Sequence, residues 1–237
     1  MRDRIGRVPL RRLTVAKLDR YYAELRQGGG ANGKPLSPRT VRRVHNIVRR
    51  ALEQGLRWGW IGTNPAAHAS PPKLQRREPT PPTPADVQRL LDAAEADDPD
   101  FAMFLRVAAA TGARRDELCG LRWASLDLDG RAVLIDRSVV RGDDGSVEKD
   151  TKTHQARRIA LDGSTVVLLR QHHERAAARA RECGVALVDD AYVFSYEPDG
   201  SKPWAPLTVS QRFGRLRDRL DLQVCVCTTF ATTSRLD

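Results

Sequence analysis

Acid is scarce where the chain begins. Residues 1–80 carry 18 Lys and Arg against 5 Asp and Glu, a local net charge of +13. The remainder holds 22 against 25, a net of −3. A front so short of acid points to a polyanionic partner, with a near-neutral body folding around chemistry. The plainer alternative is a basic, solvated surface. Cysteine is also sparse: Cys119, Cys183, Cys225 and Cys227. They form no disulfide framework and no pair of Cys-x-x-Cys knuckles, which excludes a stapled secreted domain and points to a reducing cytoplasm. Cys225-x-Cys227 is a weak metal signal, because no second ligand pair stands near it. No apolar run approaches the ~20 residues of a membrane span, and Met1-Arg2-Asp3-Arg4 leads into no apolar signal core. No internal repeat is visible.

What is present is enough for one large or two small domains: 237 residues, 41% hydrophobic. Thr14 caps a helix through about Gln27, with Val15, Leu18, Tyr22 and Leu25 on one stripe. Gly28 to Gly33 is a break. Ser37-Pro38 then opens the clearest helix, with Ser at the N-cap and Pro at N1. Its apolar face is Val41, Val44, Ile47, Val48, Ala51 and Leu52; the opposite face is Arg39, Thr40, Arg42, Arg43, Asn46, Arg49 and Arg50. Five arginines with no acid among them until Glu53 suit a surface that tracks a phosphate backbone. Seven prolines between Pro65 and Pro84 mark an extended linker, made basic by Lys73, Arg76 and Arg77.

Beyond the linker, Thr83-Pro84-Ala85-Asp86 starts a helix through about Ala96, and Asp98-Pro99 another through about Ala110. Gly112 interrupts, and a short helix follows from Arg114. The period then changes to two. Residues 132–136, 138–140 and 157–161 read as strands of a small antiparallel sheet with a turn at Gly142-Asp143-Asp144-Gly145. Residues 165–183 read as a long helix, 191–195 as a short strand, and 207–220 as a basic helix capped near Thr208.

Two residues invite chemistry. Arg114 follows Thr111-Gly112-Ala113 at a helix start, where free N–H groups and a guanidinium can hold a phosphate, and Glu117 could orient it. Lys152 lies between two strands, from which it can swing into a cleft and give a proton to a leaving oxygen. Taken alone, the first is an ordinary salt-bridged helix start and the second a solvated hairpin lysine. Their order and spacing behind a basic helical front make a pattern. Thr111 to Trp123 resembles the first Arg box of the tyrosine recombinases, the phage-type integrases. Thr151 to Leu161 resembles their Lys hairpin. Arg39-Thr40-Val41-Arg42-Arg43-Val44, Trp58-Gly59-Trp60-Ile61 and Asn64-Pro65 resemble their helical core-binding domain.

The resemblance implies an α+β, mainly α fold. A helical core DNA-binding domain occupies 1–70, a Pro-rich basic linker 71–83, and an integrase-type catalytic domain with a small antiparallel sheet 84–220. It implies site-specific strand exchange on double-stranded DNA through a 3′-phosphotyrosyl bond, with no metal and no other cofactor, by oligomers assembled on DNA. It makes Arg114 the first catalytic arginine, Lys152 the leaving-group acid and Glu117 a support behind Arg114. It places the protein in the cytoplasm, on the nucleoid, with no role for a membrane.

One part of the pattern is missing. The family's His-x-Leu-Arg-His box and following tyrosine have no counterpart in these 237 residues. Tyr192 and Tyr196 precede the place of that box, and Tyr21 and Tyr22 belong to the basic front. Back-translating Leu222 to Asp237 and reading two bases later can yield such a box, so residues 221–237 read as a frameshifted tail, expected to be disordered and not to pack. The front also reads as short of one helix. The expectation is a family member that binds DNA but does not cut it. The alternative is a non-catalytic regulator or competitor of an intact integrase. An enzyme completed by a partner's tyrosine would still lack its second arginine.

Overall fold

A computed structural model describes residues 5–30, 33–74, 82–142, 145–150 and 156–222. The chain divides into two compact units, Met1–Glu78 and Pro79–Asp237. It is mostly helical with small antiparallel sheets.

The first unit is built on α1 (Val15–Gly28) and α2 (Pro38–Arg57). Both start on local signals. Thr14 and Ser37 each accept a hydrogen bond from the backbone three residues on, and Pro38 presets the first helical φ. Leu18, Tyr21, Tyr22 and Leu25 bury against Val41, Val48, Leu52 and Ala66. Tyr22 packs edge-on to His45, its hydroxyl 3.1 Å from Nδ1, and burial first, then Asp19, pushes its hydroxyl up to about 12. Asn64 ties the following turn to α2: its amide donates to the Arg49 carbonyl at 3.1 Å and to Glu53 at 2.9 Å. The apolar face of α2 is narrower than the sequence suggests. Ile47 is 60% exposed and Ala51 is exposed, whereas His45 and Gly55 are buried. At 100° per residue Ile47 falls beside Arg43 and Arg50, turned away from α1.

In the second unit, α3 (Pro84–Asp97) opens with a capping box. Thr83 Oγ1 accepts from Asp86 N–H at 3.1 Å, and the Asp86 carboxylate accepts back from Thr83. α4 (Pro99–Thr111) is apolar on most sides and runs through the core. The three-stranded antiparallel sheet has the order β1-β2-β5: Leu126–Asp127, Ala132–Ile135 and Arg157–Ala160. β3 (Arg137–Gly142) and β4 (Gly145–Asp150) form a separate hairpin, with Val139 opposite Glu148. Among the described residues the one small sheet expected is thus two, and β4 has no counterpart among the expected strands, since Gly145-Ser146-Val147-Glu148 offers little apolar alternation.

α5 (Arg115–Cys119) packs on β3, and Gly120 lets the chains approach closely: a Cβ there would lie 3.3 Å from Ser138 Cα. α6 (Gly163–Glu182) starts on Asp162, and α7 (Pro206–Arg219) closes the core. Thr208 is not the cap of α7; Ala205 holds that position without a side-chain bond, and Pro206 sits at N1. Nor is 191–195 a strand. It forms one isolated bridge, Arg122 to Tyr192, and serves several partners in turn: Val193 N–H donates to Leu121 and Phe194 C=O accepts from Trp204. Its side chains fill the core, where Phe194 meets Phe104 edge-on at 4.9 Å and Trp204 at 5.5 Å. Leu222, expected beyond the packed chain, is 8% exposed and joins this core; its N–H donates to the Arg217 carbonyl. Residues 223–237, with Cys225 and Cys227, lie outside the described residues, as does 75–81 of the linker.

Candidate functional site

The end of α4 sets the site. Gly112 adopts φ 62° and closes the helix, its N–H on the Ala108 carbonyl. Thr111 Oγ1 donates to the Val107 carbonyl at 2.6 Å and accepts from Ala113 N–H at 3.1 Å. This sharp reversal delivers Arg114 as the N-cap of α5 in an extended conformation. Glu117, one turn on, is 3% exposed. Its carboxylate accepts from Arg114 backbone N–H at 2.8 Å and from Arg114 Nη1 at 3.1 Å. The backbone N–H expected to face a ligand is therefore occupied by Glu117. The Arg114 side chain remains 62% exposed.

A second guanidinium, absent from the candidate residues of the sequence, completes the cluster. Arg157, the first residue of β5, grips the same carboxylate from the other side, Nη1 to Oε1 at 3.1 Å and Nη2 to Oε2 at 2.5 Å. Burial works to push the Glu117 carboxyl up, but the bonds from Arg157 and Arg114 outweigh it and hold the group below its ordinary range. A signal existed: in β5 alternate residues Arg157 and Ile159 turn inward while Arg158 and Ala160 are exposed. Neighbouring Arg115 is engaged elsewhere, with Asp116 and with Ser210 of α7. Lys152 lies outside the described residues.

A further network fixes β4. Arg122 lies over the Tyr192 ring at 4.2 Å and pairs with Glu148 at 2.7 Å and Asp190 at 2.6 Å. The Tyr192 hydroxyl donates to Glu148 at 2.6 Å; burial, then that carboxylate, pushes it up to about 12. Tyr196 is 61% exposed and its hydroxyl accepts from Arg212 at 3.1 Å.

On α2, Arg39, Thr40, Arg43, Asn46, Arg49 and Arg50 are exposed, as is Arg57, which is not among the candidate contact residues. Among the described residues none of these arginines makes an ion pair. Arg42 differs: it is half-buried and its Nη1 donates to the Pro72 carbonyl at 3.4 Å. Among the described residues no group of three His, Cys, Asp or Glu could hold a metal ion, and no helix is long and apolar enough to cross a membrane.

The model of the phage integrase family matches residues 83–229, more than half of the chain. The chain belongs to the phage integrase family. An integrase of Streptomyces ambofaciens is 30% identical over 202 residues, covering 81% of this chain and 48% of that protein. The tyrosine recombinase XerC of Xanthomonas campestris pv. campestris is 35% identical over 134 residues, 51% of this chain and 38% of its own length. This integrase-family chain therefore spans about half the length of such relatives, or less. Among solved structures, the Tn1549 transposon integrase in complex with transposon right end DNA superposes with a TM-score of 0.77 at 18% identity, over 98% of this chain and 74% of that one. A lambda integrase tetramer bound to a Holliday junction gives 0.66 at 18% identity, over 95% and 60%. These likenesses establish the integrase fold, and the Arg114, Glu117 and Arg157 cluster lies within the matched region.

Proposed function

We propose that this chain binds double-stranded DNA as a member of a site-specific recombinase family. In this reading Arg114 receives a phosphodiester oxygen, Glu117 holds Arg114, and Lys152 would serve as the leaving-group acid. The exposed face of α2, with Arg39, Thr40, Arg43, Asn46, Arg49 and Arg50, tracks the backbone; Arg42 contributes charge from its half-buried place. Residues 1–70 form the DNA-gripping part, 71–83 the linker and 84–220 the part that handles the phosphate. A place on the nucleoid follows from such binding. The relatives that share the fold are integrases solved on DNA, some as dimers or tetramers.

The observation that carries the reading is a mostly exposed guanidinium held from behind by an almost fully buried carboxylate. A cation so placed keeps most of its donors outward, and a bidentate guanidinium–phosphate contact is among the stronger charge-assisted pairs.

We infer further that these 237 residues bind without cutting. None of the four tyrosines suits a nucleophile. Tyr22 and Tyr192 are buried with occupied, hard-to-ionise hydroxyls, Tyr21 is 3% exposed in the core of the first unit, and Tyr196 is held by Arg212, outside the Arg114 cluster. A bound, uncutting chain would compete with an intact integrase for DNA. The test pairs two measurements on the purified chain. With a nicked suicide substrate no covalent protein–DNA adduct should form; an adduct would overturn the inactive reading. Arg114→Ala should weaken duplex binding by about tenfold or more, the loss of one charge-assisted contact. Unaltered affinity would remove Arg114 from the DNA contact.

A further inference from the structure

We propose that Arg157 is the positioning residue that keeps Arg114 available to an anion, a proposal that rests on the phosphate role of Arg114 given above. One buried carboxylate stands between two guanidiniums. Glu117 carries a single negative charge, and the two arginines carry two positive ones. The partners are unequal. Arg157 meets the carboxylate with both terminal nitrogens, at 3.1 and 2.5 Å, whereas the Arg114 side chain gives it one bond at 3.1 Å. The forked geometry is the stronger one. The charge of Glu117 is thus met chiefly by Arg157, and Arg114 is steadied but not neutralised. The exposures agree: 38% for the Arg157 side chain against 62% for that of Arg114.

Arg157 is held in place by the sheet. It opens β5 directly opposite Ile135 of β2, which is 2% exposed, and Ile159 follows on the same inward side. Without Arg157 the buried carboxylate would have one cation within hydrogen-bond reach among the described residues, Arg114. A buried unpaired charge is costly, so Arg114 would be drawn in to form the fork itself. Its outward donors would be spent on Glu117, and the local net charge facing an anion would fall from +1 to zero.

The experiment measures binding of a short mixed-sequence DNA duplex to the whole chain by fluorescence anisotropy across a salt series, with a thermal melt of each variant. Arg157→Ala should weaken binding about as much as Arg114→Ala, roughly tenfold, although Arg157 keeps its own nitrogens on Glu117. Each should flatten the salt slope by up to about 0.9. The discriminating variant is Glu117→Gln with Arg157→Ala. Removing the carboxylate removes the pull on Arg114, so this pair should bind within about threefold of Glu117→Gln alone, where an arginine merely needed for folding would give no recovery. Arg157→Lys, which retains the charge, should fall between wild type and Arg157→Ala. If Arg157→Ala fails to fold, the lysine variant and the paired variant carry the test. Wild-type affinity in Arg157→Ala or Arg157→Lys, or no recovery in the pair, overturns the role of Arg157 while Arg114→Ala still weakens binding. If Arg114→Ala itself binds like wild type, the phosphate role of Arg114 falls, and this proposal with it.

Discussion

Replacing Arg39, Arg43 and Arg50 together by alanine should change how the chain responds to salt. The three lie within about 40° of one another on α2 at 100° per residue, all exposed and without an ion pair among the described residues. Each arginine that neutralises a phosphate adds about 0.9 to the slope of log affinity against log salt, so three contacts contribute up to about 2.7. Between about 50 and 200 mM salt that slope amounts to roughly 40-fold of the wild-type loss, which the variant should no longer show. Alanine is the best helix former, and these side chains bury nothing, so the melting temperature should hold. Arg42 is the internal control. Its guanidinium reaches the Pro72 carbonyl, so Arg42→Ala should act more on the stability of the first unit than on the slope. Anisotropy titrations at four or five salt concentrations, with a melt of each variant, give both readouts. A triple variant that melts like wild type and keeps its slope within about 0.5 would refute the assignment of this face to the DNA backbone.

Two predictions concern stability in the second unit. Asp162 caps α6, accepting from Thr165 N–H at 2.8 Å and from the Thr165 and Ser164 hydroxyls at 2.6 and 2.5 Å. Asp162→Ala should cost about 1 kcal/mol in denaturant unfolding. Burial alone would raise this carboxyl, but the bonds from Ser164 and Thr165 lower it from 3.8 to about 2. Its contribution is therefore present above about pH 4 and lost as pH falls toward 2, so the variant should lose less stability over that window than wild type; equal losses would rule out the coupling. Phe104 is fully buried against Phe194, Trp204 and Phe101. Phe104→Ala should destabilise by about 3–5 kcal/mol, or roughly 6–20 °C of melting temperature. A shift below about 2 °C would mean that this aromatic cluster is not the centre of the core.

The sequence by itself determined the parts whose causes are local. Thr14, Ser37-Pro38 and Thr83-Pro84 place their helices because an N-cap hydroxyl and a proline act on the next three residues and need nothing distant. The charge imbalance and the order of motifs likewise sit in the chain itself, and they were enough to indicate the family. Only the tertiary structure decided which side chains meet. The fork between Arg157 and Glu117 spans 40 residues and depends on the register of β5 against β2. Ile47 stands in the apolar run of α2 but at the margin of its stripe, and it is exposed because the first unit packs its core on the side of Val41, Val48 and Leu52. The stretch 191–195 has strand-like residues, yet its hydrogen bonds are shared out among Leu121, Trp123, Gly200 and Trp204, and only the packed core assigns them. Periodicity reports what a segment could bury. Which face is covered, and which charge is left outward to meet a ligand, depends on partners that sequence distance conceals.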